Sequence, residues 1–157
     1  MKKPSRCELL RGERGASLVE FALLLPIFVI LLLACVDFGR AFYLATEIAG
    51  AARAGAVYGT RNPTDTLGMQ TVAQDDTPDV PNVSAGTPTY VCECADGTNQ
   101  TSATTCATSP PTCSNGLNWV YMVTVTVTGT YTPLLPWPGI PSSMNLSSTA
   151  SMRSAGS

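Results

Sequence analysis

The 157-residue sequence contains no histidine. That single absence removes the commonest general base, the usual middle member of a nucleophilic triad and the commonest metal ligand. Charge is also scarce, with 13% of residues Asp, Glu, Lys or Arg and no lysine beyond Lys3. With so few side chains of the kind that move protons, and no nucleophile–base pair to build on, an enzyme is not expected. A nucleic-acid surface is not expected either, because there is neither a basic stripe nor a set of interleaved aromatics. The positive charge that exists is concentrated at one end. Lys2, Lys3, Arg6, Arg11 and Arg14 precede the first apolar run, against only Glu8 and Glu13. By the positive-inside tendency, the N-terminus is expected on the cytoplasmic side and the C-terminal bulk across the membrane.

What the chain does have is a hydrophobic run, Ala16 to Val36, of the length that spans a bilayer. One carboxylate interrupts it. An ionised side chain near the middle of a membrane helix costs roughly 2.5–3.5 kcal/mol on insertion scales, so Glu20 needs a partner or a reason. One reading is a membrane-edge residue reaching interfacial water; the other takes Gly15 and Glu20 together, as below. Two rival readings concern the same segment. A secretory signal would end its short apolar stretch at a small-residue cleavage site, and Leu32-Leu33-Ala34-Cys35 has the look of a lipoprotein signal. Against the latter, the leader would be unusually long and Cys35 is not followed by a polar tether; as a small apolar residue it fits inside a helix.

Past Val36 the apolar residues recur at three- and four-residue steps through Phe38, Phe42, Ala45, Ile48 or Ala49, Ala52 and Ala56, which predicts that the helix continues as an amphipathic one to about Tyr58. Pro26 removes one backbone donor inside it and favours a kink or loosened turn. Asp37 and Arg40 stand three apart and can pair on an exposed face. The small residues Ala49, Gly50, Ala52, Gly55 and Ala56 permit close approach of another surface, either a second helix or the domain's own sheet. From Thr60 the composition turns to Thr, Ser, Pro, Gly and Asp, marking a boundary between Gly59 and Pro63. The expected organisation is a leader over 1–15, a long helix over 16–59 with about 16–36 in the membrane, and an exported β-rich domain over 60–157.

Within that domain, Thr64 to Ala73 is a candidate short helix capped by Thr64. Pro88 to Cys94 alternates as a strand, Trp119 to Thr132 is the clearest strand, and Asn145 to Arg153 returns as the last one. Trp119, Tyr121, Val123, Val125 and Val127 fall on one face of the central strand and Thr124, Thr126, Thr128 and Thr130 on the other, the mark of a half-buried antiparallel sheet. Asp75, Asp76, Asp79 and Asp96 lack the spacing of a calcium loop and read as a solvated acidic region. Cys92, Cys94, Cys106 and Cys113 allow zinc or disulfides. Their gaps suit a structural zinc site poorly, whereas an even set in an oxidising compartment favours two disulfides. Cys92 and Cys94 share a strand face, so each is expected to pair with one of Cys106 and Cys113, in an order the sequence leaves open. No metal and no cofactor is expected.

Basic residues, then Gly15-Ala16, then Glu20 followed by an apolar run resemble the processing site of type IV prepilins. The resemblance implies cleavage after Gly15 by a membrane-embedded prepilin peptidase. Ala16 would then be the new N-terminus and Glu20 the fifth residue of the mature chain. Arg14-Gly15-Ala16, Glu20-Phe21-Ala22, Leu25-Pro26, Asp37-Phe38-Gly39-Arg40 and Ala51-Ala52-Arg53-Ala54-Gly55-Ala56 are similar, block by block, to the TadE-like family. That family comprises minor pilins or pseudopilins of the tight-adherence (Flp) subclass of type IV pili. Glu20-Phe21 departs from the Glu-Tyr pair of the major Flp pilin, which places the likeness with a minor component. The likeness covers residues 14–59, about a third of the chain. It implies an α+β, pilin-like fold, with a long helix running from the membrane into the periplasm and packed on a small antiparallel sheet. It also implies a bacterial inner-membrane location, other pilin-like subunits as partners, a part in surface adhesion and pilus assembly, and Glu20, Phe21 and Pro26 as assembly residues. The alternative is an unprocessed or lipidated envelope-anchored binding domain that enters no fibre.

Overall fold

The computed structural model describes residues 6–106, 108–136 and 138–154. The chain divides into two units, Met1–Arg40 and Ala41–Ser157. Lys2 and Lys3 of the basic leader lie outside the described residues, as do the side chains of Arg6, Arg11, Arg14 and Ala16.

One helix, α1 (Arg6–Arg61), runs through both units. It begins before the expected residue 16, at Arg6; Gly12 and Gly15 weaken a helix without ending it. It also continues without interruption through Pro26. In the first unit its apolar side chains are outward on every side. Leu18, Phe21, Leu23, Ile27, Phe28 and Leu32 are all more than half exposed. Among the described residues this is the one helix long and apolar enough to cross a membrane, and a helix apolar all round needs an apolar surrounding.

The second unit is an α+β domain. After α1 come α2 (Thr66–Asp75), β1 (Val83–Ala85), β2 (Thr89–Cys94), β3 (Thr101–Ser102), α3 (Ala103–Cys106), a single 3₁₀ turn (Ser114–Gly116), β4 (Trp119–Tyr131) and β5 (Met144–Arg153). All pairings are antiparallel, and β4 is the spine of the sheet. Its first half pairs with β2 (Cys94↔Trp119, Thr89↔Thr124), and its second half, on the same edge, with β1 (Ala85↔Val127). β5 covers its other edge from Met122↔Arg153 to Tyr131↔Met144. The Val-Thr alternation of β4 does what its period dictates. Val123, Val125 and Val127 are fully buried, while Thr124 and Thr126 share their hydroxyls with Ser151 and Thr149 of β5, at 2.9 Å each, on the exposed face.

The core forms where the Ala41–Arg61 part of α1 lies across β4. Leu44, Ile48, Ala51, Ala52 and Ala56 pack with the three valines, Tyr131, and Met69 and Ala73 of α2. The inward stripe therefore starts at Ala41 and Leu44 and not, as expected from the spacing, at Phe38 and Phe42, which are 75% and 64% exposed. Both stripes have helical steps; the sheet selects the one whose small residues let the backbone in close. Ala52, Gly55 and Ala56 face the sheet, whereas Ala49 and Gly50 face outward.

Helix α2 starts one residue later than expected, with Asp65, not Thr64, as its cap. The Asp65 carboxylate accepts from the Gly68 N–H at 2.9 Å and from the Tyr58 hydroxyl at 2.8 Å. These bonds to the charged form hold its pKa below the ordinary 3.8, the Gly68 amide contributing most. A depressed folded-state pKa means that the stabilisation is fully present above 3.8 and is lost as pH falls through the lower, folded value. The Gly68 amide resonance is therefore expected to titrate with a midpoint below 3.8 and to lose that transition in Asp65→Asn. A midpoint at or above the ordinary value would show that the cap does not form.

Candidate functional site

Two regions collect the residues that the sequence marks out. In the first unit, Gly15 and Glu20 stand on one continuous helix, about 7.5 Å apart along its axis at ~1.5 Å per residue. Glu20, Phe21 and Pro26 are all exposed, and a side chain added at Gly15 would meet nothing within 4 Å. The backbone at Ala16 is helical. Glu20 is thus a solitary carboxylate on an otherwise apolar surface that runs to Val36. Asp37 and Arg40 close that surface with an ion pair at 3.8 Å. The expectation of an exposed pair holds for Arg40 alone, since the Asp37 side chain is only 8% exposed. Cys35 carries a free thiol and is exposed on the helix.

The second region is the cysteine-bearing end of the sheet. Cys92 is bonded to Cys106 and Cys94 to Cys113, with Cα–Cα distances of 5.6 and 5.5 Å, so all four sulfurs are committed. Alternation along β2 puts Cys92 and Cys94 on the core side and Glu93 between them on the opposite side. Glu93 is 1% exposed. Its two oxygens accept from Arg153 Nε and from Gln100 Nε2, each at 2.7 Å. Arg153 also donates to the Ala95 carbonyl. A buried carboxylate needs charge and hydrogen bonds together, and here the last residue of β5 and the loop after β2 supply them. The sequence reading missed this junction. The signal was a lone Glu on the polar face of a strand flanked by cysteines, with the last arginine of the chain at the end of β5.

The loop between β2 and β4 forms a wide, shallow depression of about 470 Å³ between Asn99–Thr101 and Ser109–Thr112. Its lining is amide, hydroxyl and proline, with no ionisable side chain. Asp96 turns back on Thr98, accepting from its hydroxyl at 2.7 Å and its N–H at 3.0 Å, bonds that hold the Asp96 carboxyl below its usual range. Among the described residues, no three Asp, Glu, Cys or His side chains converge as metal ligands would. Asp75, Asp76 and Asp79 are exposed. What the arrangement offers chemically is a surface for packing in an apolar medium and a cross-linked, rigid polar end.

Residues 15–57 match the family model described as TadE-like protein. The matched stretch begins at Gly15 and takes in Glu20, Pro26, the Asp37–Arg40 pair and the small residues that pack on β4. No curated protein and no solved structure matches the chain.

Proposed function

We propose that the protein is a minor pilin or pseudopilin, a structural subunit of a tight-adherence type IV pilus that serves pilus assembly and surface adhesion. The observation that carries this is the exposed apolar surface of α1 from Leu18 to Val36, broken only by Glu20, within the segment that matches the TadE-like model. A prepilin peptidase cuts after Gly15 and leaves a cationic amine on Ala16, one helical turn from Glu20. Helices packed side by side in a low-dielectric bundle leave an isolated charge costly, so amine and carboxylate of staggered neighbours pair. Phe21 and Pro26, on the same exposed surface, take part in the packing. Before assembly the N-terminus is cytoplasmic, the helix spans the inner membrane and the disulfide-bonded domain is exported.

Two measurements test the reading. The intact mass and N-terminal sequence of protein from its native envelope are expected to show a chain starting at Ala16. A retained Met1, or a chain starting at a lipidated Cys35, would instead leave an anchored domain outside any fibre. Glu20→Ala is expected to insert in the membrane at least as well as the parent, since a charge is removed from lipid, yet to disappear from sheared surface fibres. Undiminished incorporation of Glu20→Ala would remove the assembly role of this residue.

A further inference from the structure

The sheet has closed edges on one side and an open edge on the other. Among the described residues, β1 is sealed by the side chains of α2. Gln74 donates to the Val83 carbonyl and accepts from the Ala85 N–H, and Gln70 donates to the Ala85 carbonyl. One glutamine amide thus imitates a neighbouring strand's peptide group. β2 is covered by β3, with Val91↔Ser102 and Cys92↔Thr101 in register. Among the described residues, β5 has no such cover.

The hydrogen-bond parity fixes which groups of β5 are free. Ser154 N–H donates to the Tyr121 carbonyl, while Gly86 N–H, on the other side of β4, donates to that of Thr126. Odd residues of β4 therefore face β5, and the even residues of β5 bond to them. Asn145, Ser147, Thr149, Ser151 and Arg153 direct their backbone N–H and C=O groups away from the sheet. Native edges are usually blunted by lysine, proline, a bulge or a covering segment. β5 pairs in unbroken register over all ten residues and contains neither Lys, Pro nor Gly. Its one charge, Arg153, is bound to Glu93. The hydroxyls of Ser151 and Thr149 are turned to Thr124 and Thr126, and Asn145 accepts from Thr130. On the core side, Met144, Leu146, Ala150 and Met152 are only half-buried, against full burial of the valines of β4 beside them.

We infer that the free edge of β5 is a strand-docking site for an extended segment of a different polypeptide. The segment is uncharged, with apolar residues on alternate positions to cover the Met144–Met152 row and small polar residues between them. A second copy of this chain does not fit. Antiparallel self-pairing would reverse the partner domain. The order of contacts between α1 and β4, with Ile48 at Gly129 and Gly59 at Val123, would then put the two Ala41 ends at opposite ends of a joint sheet. One membrane cannot receive both chains, a step that rests on the anchored-subunit reading. Parallel self-pairing about an axis along the strand would set the apolar row of one copy beside the hydroxyl row of the other.

Residue-resolved amide exchange of the full-length chain tests this, comparing the intact native envelope with detergent-purified protein. In detergent, the amides of residues 145, 147, 149, 151 and 153 are expected to exchange fast, in alternation with slow even-numbered neighbours. In the envelope they are expected to slow by about tenfold or more, the scale of one net hydrogen bond each. Thr149→Pro, which removes an outward donor and no ladder bond, is expected to abolish that slowing, and Thr149→Ala to keep it. Unchanged exchange in the envelope overturns the inference even if Thr149→Pro does not fold. So does a homodimer of full-length Thr149→Cys, carrying Cys35→Ser to remove the exposed free thiol, that is cross-linked through position 149 on mild oxidation of the envelope. The N-terminal residue is read from the same sample. Ala16 with unchanged exchange removes the docking edge alone, and Met1 with slowed exchange removes the pilin reading alone.

Discussion

Gly55→Val is expected to destabilise the α+β domain strongly. A Cβ at this position would sit 2.8 Å from the Met69 carbonyl oxygen, 3.0 Å from the Ala73 Cβ and 3.1 Å from Val125 Cγ1. Two of these neighbours, a backbone carbonyl and a Cβ, move only with the whole of α2, and the third belongs to the central strand. Relief requires α1 to lift off β4, which opens gaps along Ala52, Ala56 and the three buried valines. Overpacking costs typically about 1–3 kcal/mol and occasionally more. With backbone on one side and the sheet on the other, the upper end is expected, a fall in melting temperature on the order of 15 °C for a domain of this size. Gly50→Ala on the same helix supplies the contrast. A Cβ there meets only Asp76 Oδ2, at 3.6 Å, and replacing a mid-helix glycine gains about 0.5–1 kcal/mol. Thermal melting of the purified chain reads both, and a Gly55→Val variant that melts with the parent would show that helix and strand are not in close contact.

Removing both disulfides is expected to have the second large effect, one larger than the sum of the two single removals. Cys92–Cys106 and Cys94–Cys113 close loops with sequence separations of 14 and 19, and the two loops interleave. Each bond alone restricts the unfolded chain by roughly 2–4 kcal/mol. Because the stretch between Cys94 and Cys106 is constrained by either bond, the second removes less freedom than the first. Each pairwise Cys→Ser removal is therefore partly made good by the remaining bond, and by chemical denaturation without reductant the fourfold variant is expected to lose more than the two pairwise variants together. The loop would then be held by the two residues of β3, by Gln100 on Glu93 and by hydrogen bonds such as that of the Ala95 N–H to the Asn118 carbonyl. Loss of less than about 2 kcal/mol in the fourfold variant would contradict the stapling role.

The legible parts of this fold were those in which one residue's neighbours along the chain set its environment. The strict Val-Thr alternation of β4 located both its faces, and Cys92-x-Cys94 on one strand face required partners elsewhere. The break in composition at Gly59–Pro63 marked where α1 ends, at Arg61. What remained hidden depended on contacts across the chain. Phe38 and Phe42 have the same helical spacing as Leu44 and Ile48, and only the closeness demanded by Gly129 and the valines of β4 decides which stripe turns inward. Gln70 and Gln74 look like ordinary surface residues of a short helix until β1 is brought against them. The short β1 and β3 have no pattern of their own, because three and two residues are too few to show a period. Glu93 and Arg153, 60 positions apart, meet only because β2 and β5 flank the same half of β4.

The way α1 lies on β4 has a mechanical consequence. From Ala41 onward the helix meets Gly129 first, through Leu44 and Ile48, then Val125 at Gly55 and Val123 at Gly59, so it runs antiparallel to the strand along much of its length. Tension drawn through Arg40 along the helix axis acts as shear, and these contacts must slide together before any one of them yields. The cross-linked loop is attached at the far end of β4, where Cys94 faces Trp119. Such a pull is therefore borne by the helix–strand seam, and the polar end keeps its shape under load.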